Sequence, residues 1–238
     1  MPTPVDVAEA VSRVRDGATV MVGGFGLVGA PLTLIEGLLA HPGARNLTVI
    51  SNNLGEPGRG LGRLLLEGRV RKAVGSYFTS NPDVVAAYQA GRLEIDLLPQ
   101  GTLAEAIRAG GAGIGGFYTR TGWGTALGEG REERTIRGEQ HVYQESLRAD
   151  VALVRARAAD ELGNLVYSKT ARNFNPDMAT AADLVIAEVD EVVPAGALDP
   201  EAIVTPHLFV DAVVLSDTGA RGAAGVPGDT VALSGATR

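Results

Sequence analysis

Short apolar runs alternate with amphipathic helical patterns along this chain, and that alternation constrains the fold more than any other feature. Thr19-Val20-Met21-Val22, Leu47-Thr48-Val49-Ile50, Val70 to Tyr77 and the alternating Leu93, Ile95 and Leu97 read as strands. Between them, Pro31 opens a helix with Leu32, Ile35, Leu38 and Leu39, and a shorter helix carries Leu61, Leu64 and Leu65. Pro82 to Ala90 reads as a helix stopped by Gly91, and Thr102 to Ala109 as another after the turn Pro99-Gln100-Gly101. A strand and a helix every 25 to 30 residues, roughly, is the rhythm of βα units. The expected fold is α/β, a mainly parallel central sheet with helices on both faces. Ahead of the first strand, Thr3-Pro4 caps a helix with Val7, Ala10, Val11 and Val14.

The second half is less regular. Gly110 to about Gly130 is glycine-rich and lacks periodicity, so it reads as loop. Order resumes with strands at Val151 to Val154, Leu165 to Tyr167, Leu184 to Ala187 and Val210 to Leu215, and a helix over Pro176 to Ala182. One domain over 1–215 is expected, followed by a Gly/Ala-rich tail over 216–238 that is expected to be flexible. The absence of cysteine excludes disulfides, zinc–thiolate sites and a cysteine nucleophile. A formal net charge of −7 with dispersed arginines argues against nucleic acid and anionic membranes. No apolar run reaches the ~20 residues of a membrane span, and Met1 to Arg15 lacks the apolar core of a signal peptide. A cytoplasmic protein is the expectation.

The 32 glycines are about twice the usual ~7% share. Gly24, Gly26 and Gly29, between a strand and a helix, satisfy G-x-G-x-x-G, where backbone amides approach an anion. The acid expected at the end of the second strand to hold a ribose is missing, because that strand ends Ser51-Asn52-Asn53. Gly163 to Thr170 falls one glycine short of a P-loop, with Ser168 in its place. Asn52, Asn53 and Gln100 stand at strand ends, where parallel sheets bind ligands, and neutral amides suit a carboxylate or thioester oxygen. Gly110 to Gly124 suits close backbone approach or a mobile connector. There is no Gly-x-Ser-x-Gly elbow, and His41, His141 and His207 are too isolated to hold a metal. Glu56 stands alone in a Gly-Pro turn. The chain thus has backbone-lined loops but no nucleophile or general base.

Asp16 to Phe25, continuing through Gly29-Ala30-Pro31, resembles the signature of the class I coenzyme A transferases, and specifically the alpha-subunit type of 3-oxoacid CoA-transferase. Ser51-Asn52-Asn53, Leu98 to Glu105, Ile107 to Gly113, Leu147 to Leu153, Gly163 to Tyr167 and Ala171-Arg172-Asn173-Phe174-Asn175-Pro176 extend the resemblance over about residues 5 to 215. It implies an open α/β sandwich and ping-pong transfer of coenzyme A from a donor acyl-CoA, such as succinyl-CoA, to a 3-oxoacid such as acetoacetate or 3-oxoadipate. A glutamate of a separate beta subunit would carry the acyl and CoA adducts, in a heterodimer or an A2B2 heterotetramer. The CoA thioester would be a substrate, with no permanently bound cofactor and no metal. The resemblance places Gly23, Gly24, Phe25, Gly26 and Gly29 near the thioester, with Gln100, Asn52 and Asn53 supporting catalysis and Gly101, Gly111, Gly113 and Phe117 bordering the substrate entrance. Gly115-Gly116, Arg120, Trp123, Phe78 to Asn81 and His207 depart from the family pattern. Arg120 suits a distal carboxylate or a solvated loop. Two other readings stay open: a nucleotide (NAD)-binding module, and a same-fold isomerase or regulatory homologue.

Overall fold

A computed structural model describes residues 4–217. The first half is a series of βα units: α1 (Val7–Val11), β1 (Thr19–Val22), α2 (Leu32–Ala40), β2 (Leu47–Ile50), α3 (Leu61–Leu66), β3 (Val70–Gly75), α4 (Pro82–Gln89), β4 (Glu94–Leu97) and α5 (Gln100–Gly111). Then follow β5 (Gly116–Thr119), β6 (Glu133–Ile136), β7 (Glu139–Glu145), β8 (Ala149–Arg155), β9 (Ala158–Asp160) and β10 (Leu165–Val166). The described chain closes with α6 (Asn175–Thr180), β11 (Ala182–Val189), β12 (Glu191–Val193) and β13 (Ala212–Leu215). The cap of α1 is Asp6, whose carboxylate accepts from the Ala8 amide, in place of the expected Thr3-Pro4. Thr3 lies outside the described residues, as does the expected tail beyond Asp217.

Seven strands form one sheet in the order β13-β11-β8-β1-β2-β3-β4, and every pairing in it is parallel. Alternate residues of each strand serve opposite faces, as the period of two requires. Val20, Val22, Leu47, Val49, Val151, Leu153 and Val214 share one core with apolar residues of α1 to α4. Met21, Ile50, Ala152, Val154, Val185 and Val213 share the other with Leu103 and Ile107 of α5 and Met178 of α6. Both faces are thus covered by helices, which explains why the central strands are near-continuous apolar runs.

The stretch expected as loop contains β5, and the segment after it, for which no element was expected, contains β6 and β7. β5, β7 and β6 form a separate antiparallel sheet. β6 and β7 meet at Arg137-Gly138, both at positive φ (52° and 80°), the conformation of a two-residue I′ hairpin turn. These strands are mostly polar and exposed, so no hydrophobic period marks them.

Gly110 and Gly111 belong to the last turn of α5. A Cβ on Gly110 would overlap the Leu147 carbonyl, and one on Gly111 the Thr180 hydroxyl. These glycines let α5 pack against the approach to β8 and the end of α6. Gly113, at φ 71°, ends the helix: its amide donates to Gly110 O (3.2 Å) and that of Ile114 to Ala109 O (2.9 Å), a Schellman closure.

Gly75, at the end of β3, brings two site-bearing strand ends close. A Cβ there would overlap the Ser51 carbonyl and stand 2.9 Å from Phe78 Cζ. Gly75→Ala is expected to lower stability by about 1–3 kcal/mol, the usual range for overpacking, as read from urea unfolding.

Candidate functional site

With seven parallel strands, all carboxyl ends lie on one edge of the sheet, and the chain reverses its direction of growth between β1 and β8. Such a switch point opens the crevice where nucleotide-binding sheets hold their ligand. Here the molecule fills that crevice itself. The Asn175 carboxamide accepts from the Arg155 amide (2.8 Å) and donates to the carbonyls of Gly29 (3.0 Å) and Ala171 (3.0 Å). It occupies the space a Cβ on Gly23 would need. Asn173 Oδ1 accepts from the Gly24 amide (3.0 Å), and Asn173 Nδ2 donates to Val28 O (3.0 Å).

The first turn of α2, the expected anion cradle of G-x-G-x-x-G, is also occupied. Glu188, fully buried at the end of β11, accepts from the amides of Thr33 (2.9 Å) and Leu34 (3.3 Å). Ser216 donates to its other oxygen (2.9 Å), and Arg155 Nε stands 3.9 Å away. Burial pushes the Glu188 carboxyl above the usual range despite Arg155 and these donors. A built-in carboxylate therefore takes two of the helix-terminal amides that a pyrophosphate would use, which counts against the NAD reading.

The Gly23 to Gly29 loop is a tight turn held by Phe25 N to Val28 O (3.0 Å) and Val28 N to Phe25 O (3.3 Å), with positive φ at Gly24, Gly26 and Gly29. Leu27 is buried, while Phe25 (56% exposed) and Val28 project outward. A second turn, Glu56 to Arg59, follows β2 with the same pairing, and the bare Cα of Gly60 makes room there for Leu27. Glu56 is ion-paired with Arg59 (2.8 Å) and does not stand alone.

One strand further along the edge, Asn52, Ser76 and Gln100 meet at the ends of β2, β3 and β4. Asn52 Nδ2 donates to Gln100 Oε1 (2.8 Å) and to Ser76 Oγ (3.1 Å), and the Ser76 hydroxyl donates to the same Gln100 oxygen. Asn52 is buried and Gln100 exposed. Gln100 is the first residue of α5, part of the helix and not of a preceding turn. With its carbonyl oxygen held by two inward donors, its Nε2 is left as the donor on the exposed side. Gly101 is exposed beside it, and a Cβ there would meet nothing.

The other expected site residues do not join that network. Asn53 caps its own turn, accepting from the Gly55 amide (3.2 Å). Gly111 and Gly113 are at the far end of α5, about 16 Å from Gln100 at 1.5 Å per residue. Phe117 belongs to the antiparallel sheet, paired with Gln144. Arg120 is tied to Glu139 (2.9 Å), and Trp123 Nε1 donates to Glu133 (3.3 Å). The P-loop-like segment is not a loop around an anion: it runs from a turn whose amides at Leu162, Gly163 and Asn164 all donate to Asp160, through strand β10, into a 3-10 helix over Lys169–Arg172. Burial pulls the Asp160 carboxyl upward, but these bonds and the Asn164 side chain hold it below the usual range. His207 sits against that same turn, its amide on Asn164 Oδ1 (2.9 Å). Among the described residues no group of three or more His, Asp or Glu is placed to hold a metal ion. No described helix is long and apolar enough to cross a membrane.

Ser76 and Glu188 are residues that sequence reasoning did not single out, and Asn173 and Asn175 entered it only within the string Ala171 to Pro176, with no role attached. For Ser76 a signal existed, since it follows β3 as Asn52 follows β2. Glu188 reads as an ordinary strand residue, because nothing local marks it as the cap of a helix about 155 positions away.

Residues 5–216 match the family model described as Coenzyme A transferase. The chain is 51% identical over 210 residues to the A-type subunit of 3-oxoadipate CoA-transferase from Pseudomonas putida, covering 87% of this chain and 90% of that protein. It is 51% identical over 205 residues to the A-type subunit of succinyl-CoA:3-ketoacid coenzyme A transferase from Xanthomonas campestris pv. campestris (strain B100), covering 86% and 84%. Its fold is similar to that of an acyl-CoA transferase from E. coli O157:H7, solved as a thioester complex with CoA (TM-score 0.83, 24% identity, 90% of this chain). The chain spans about half the length of that structure (50%).

Because burial raises the Glu188 pKa above its ordinary 4.5, the folded protein binds this proton more tightly than the unfolded chain. The resulting stability is complete below the unfolded value and is lost as pH rises through the folded one. Glu188→Gln is expected to remove that component. Melting temperatures at stepped pH should show the wild type losing more stability than the variant as pH rises from about 4.5.

Proposed function

The chain belongs to the coenzyme A transferase family, and from that membership we propose that it is the alpha subunit of an enzyme moving coenzyme A from succinyl-CoA to a 3-oxoacid, acetoacetate or 3-oxoadipate. The named relatives at 51% identity support this substrate class, and their designation as A-type subunits supports a partner beta subunit.

In the proposed reaction, a glutamate carboxylate of the partner attacks the thioester carbonyl of the donor. The tetrahedral adduct expels CoA thiolate and leaves an acyl-glutamyl anhydride. The thiolate attacks the glutamyl carbonyl, releasing the donor acid and forming a glutamyl-CoA thioester. The acceptor carboxylate then reverses the sequence, leaving as its CoA thioester. Each addition places negative charge on a carbonyl oxygen, and fixed donors aimed at that oxygen lower the barrier.

This chain's part is to supply such a donor and to shape one wall of the site. The observation that carries the reading is the Asn52–Ser76–Gln100 network, which turns the Gln100 NH2 outward at the sheet edge. Glu188 is taken up in capping α2, Glu56 pairs with Arg59 and Asp190 with Arg155, and a nucleophile from a partner fits that arrangement. The exposed Phe25 and Val28 at the tip of the glycine turn suit apolar contact with a pantetheine arm or the partner.

Co-expression with a beta subunit, followed by measurement of 3-oxoacyl-CoA formation, tests the assignment. Gln100→Ala is expected to lower kcat by about 100-fold, the scale of one lost oxyanion donor, with the assembly intact by size exclusion. Gln100→Glu is expected to be as damaging, because it replaces the donor with an acceptor. Full activity of this chain alone, or an unchanged Gln100→Ala rate, would overturn the reading.

A further inference from the structure

We infer that Ser76 is a positioning residue that acts on the transfer reaction through Gln100. The inference rests on the functional reading above and assigns a residue that neither the family pattern nor the strand-end amides identify.

The donor count carries it. A carboxamide oxygen has two acceptor sites, a carboxamide nitrogen two hydrogens and a hydroxyl one. Asn52 Nδ2 spends its hydrogens on Gln100 Oε1 (2.8 Å) and Ser76 Oγ (3.1 Å). Ser76 accepts one of these; its single hydrogen has two acceptors in reach, the Asn52 carbonyl (3.3 Å), which already holds the amides of Ser76 and Tyr77, and the nearer Gln100 Oε1, to which it is directed. Gln100 Oε1 therefore holds two donors from two different strand ends, and both of its acceptor sites are filled.

One donor alone leaves a carboxamide free to swing about that bond, whereas two donors from separate directions define its plane. The frame behind them is rigid. The Asn52 carbonyl accepts from the amides of Ser76 (3.1 Å) and Tyr77 (3.2 Å), which locks the ends of β2 and β3 together. The Leu98 amide donates to Gly75 O (2.9 Å), which joins β4 to the same frame. Gln100 itself lacks such support: it is exposed, long and rich in rotamers, and α5 has no side-chain cap. Its orientation thus depends on Asn52 and on Ser76. Asn52 is buried and its loss would disturb the core edge, whereas Ser76 is only half-buried and can be altered alone.

The test is a double-mutant cycle in the enzyme reconstituted with its beta subunit. Ser76→Ala is expected to lower kcat by about tenfold, the kinetic equivalent of one net hydrogen bond, while KM changes less than about twofold and the melting temperature stays close to wild type. Ser76→Thr, which keeps the hydroxyl, is expected to restore most of the rate. In a Gln100→Ala background, Ser76→Ala should have no further effect, since the group it orients is gone. A Ser76→Ala rate equal to wild type, additive losses in the double variant, or failure of Thr to rescue would each overturn the Ser76 role. An unchanged Gln100→Ala rate would instead overturn the functional reading beneath it.

Discussion

The carboxamide of Asn175 is the contact on which the site-bearing edge of this molecule depends. It lies where Gly23 has no side chain and joins the end of β8 to the glycine turn that follows β1, with hydrogen bonds to Arg155 N and Gly29 O. Parallel strands separated by more than a hundred residues have no local turn to hold their ends in register. A buried amide with matched donors and acceptors does this at close range, and in a low-dielectric crevice an unmatched one would be costly. Asn173 extends the clamp to Gly24 and Val28, so the shape of the glycine turn is imposed from the other half of the chain. Asn173 itself, at φ 24°, adopts a backbone conformation that only a determined surrounding sustains.

That clamp and the Glu188 cap occupy the switch point. A nucleotide fold leaves the β1–β8 crevice and the first turn of its helix free for a pyrophosphate. In this molecule side chains of its own occupy both places. Gln100 and Gly101 stay exposed beside β2, β3 and β4, where Asn52, Ser76 and Gln100 meet and where all three groups are neutral. Neutral donors suit a reaction in which charge appears on a carbonyl oxygen and disappears again, because they stabilise it without trapping a carboxylate product.

Glycine shows how differently one residue type can be used within a single chain. Gly24, Gly26 and Gly29 provide positive φ for a turn at the site-bearing edge. Gly110 and Gly111 provide clearance for helix packing, and Gly113 closes α5. In the sequence the two glycine-rich blocks look alike, and both suggest backbone approach to a ligand. Only the neighbours of each glycine separate them: Asn173 and Asn175 for the first block, Leu147 and Thr180 for the second.

The α/β class, the parallel core strands, the two-sided helical cover and, through chain-long resemblance, the family were all legible in the order of the residues. These depend on apolar periodicity and on motifs that are contiguous in the chain. The strand-end positions of Asn52 and Gln100 were legible too, because strand ends are local features. The Arg137-Gly138 hairpin was not, since β6 and β7 are polar and carry no period. Nor was it legible that Glu188 caps α2, that Asn175 fills the crevice, or that Ser76 and Asn52 share one oxygen of Gln100. Those contacts join residues from 20 to 155 positions apart. They exist only in the folded molecule, because a hydrogen bond depends on where two atoms lie in space, and only the assembled sheet brings these atoms within 3 Å or so of each other.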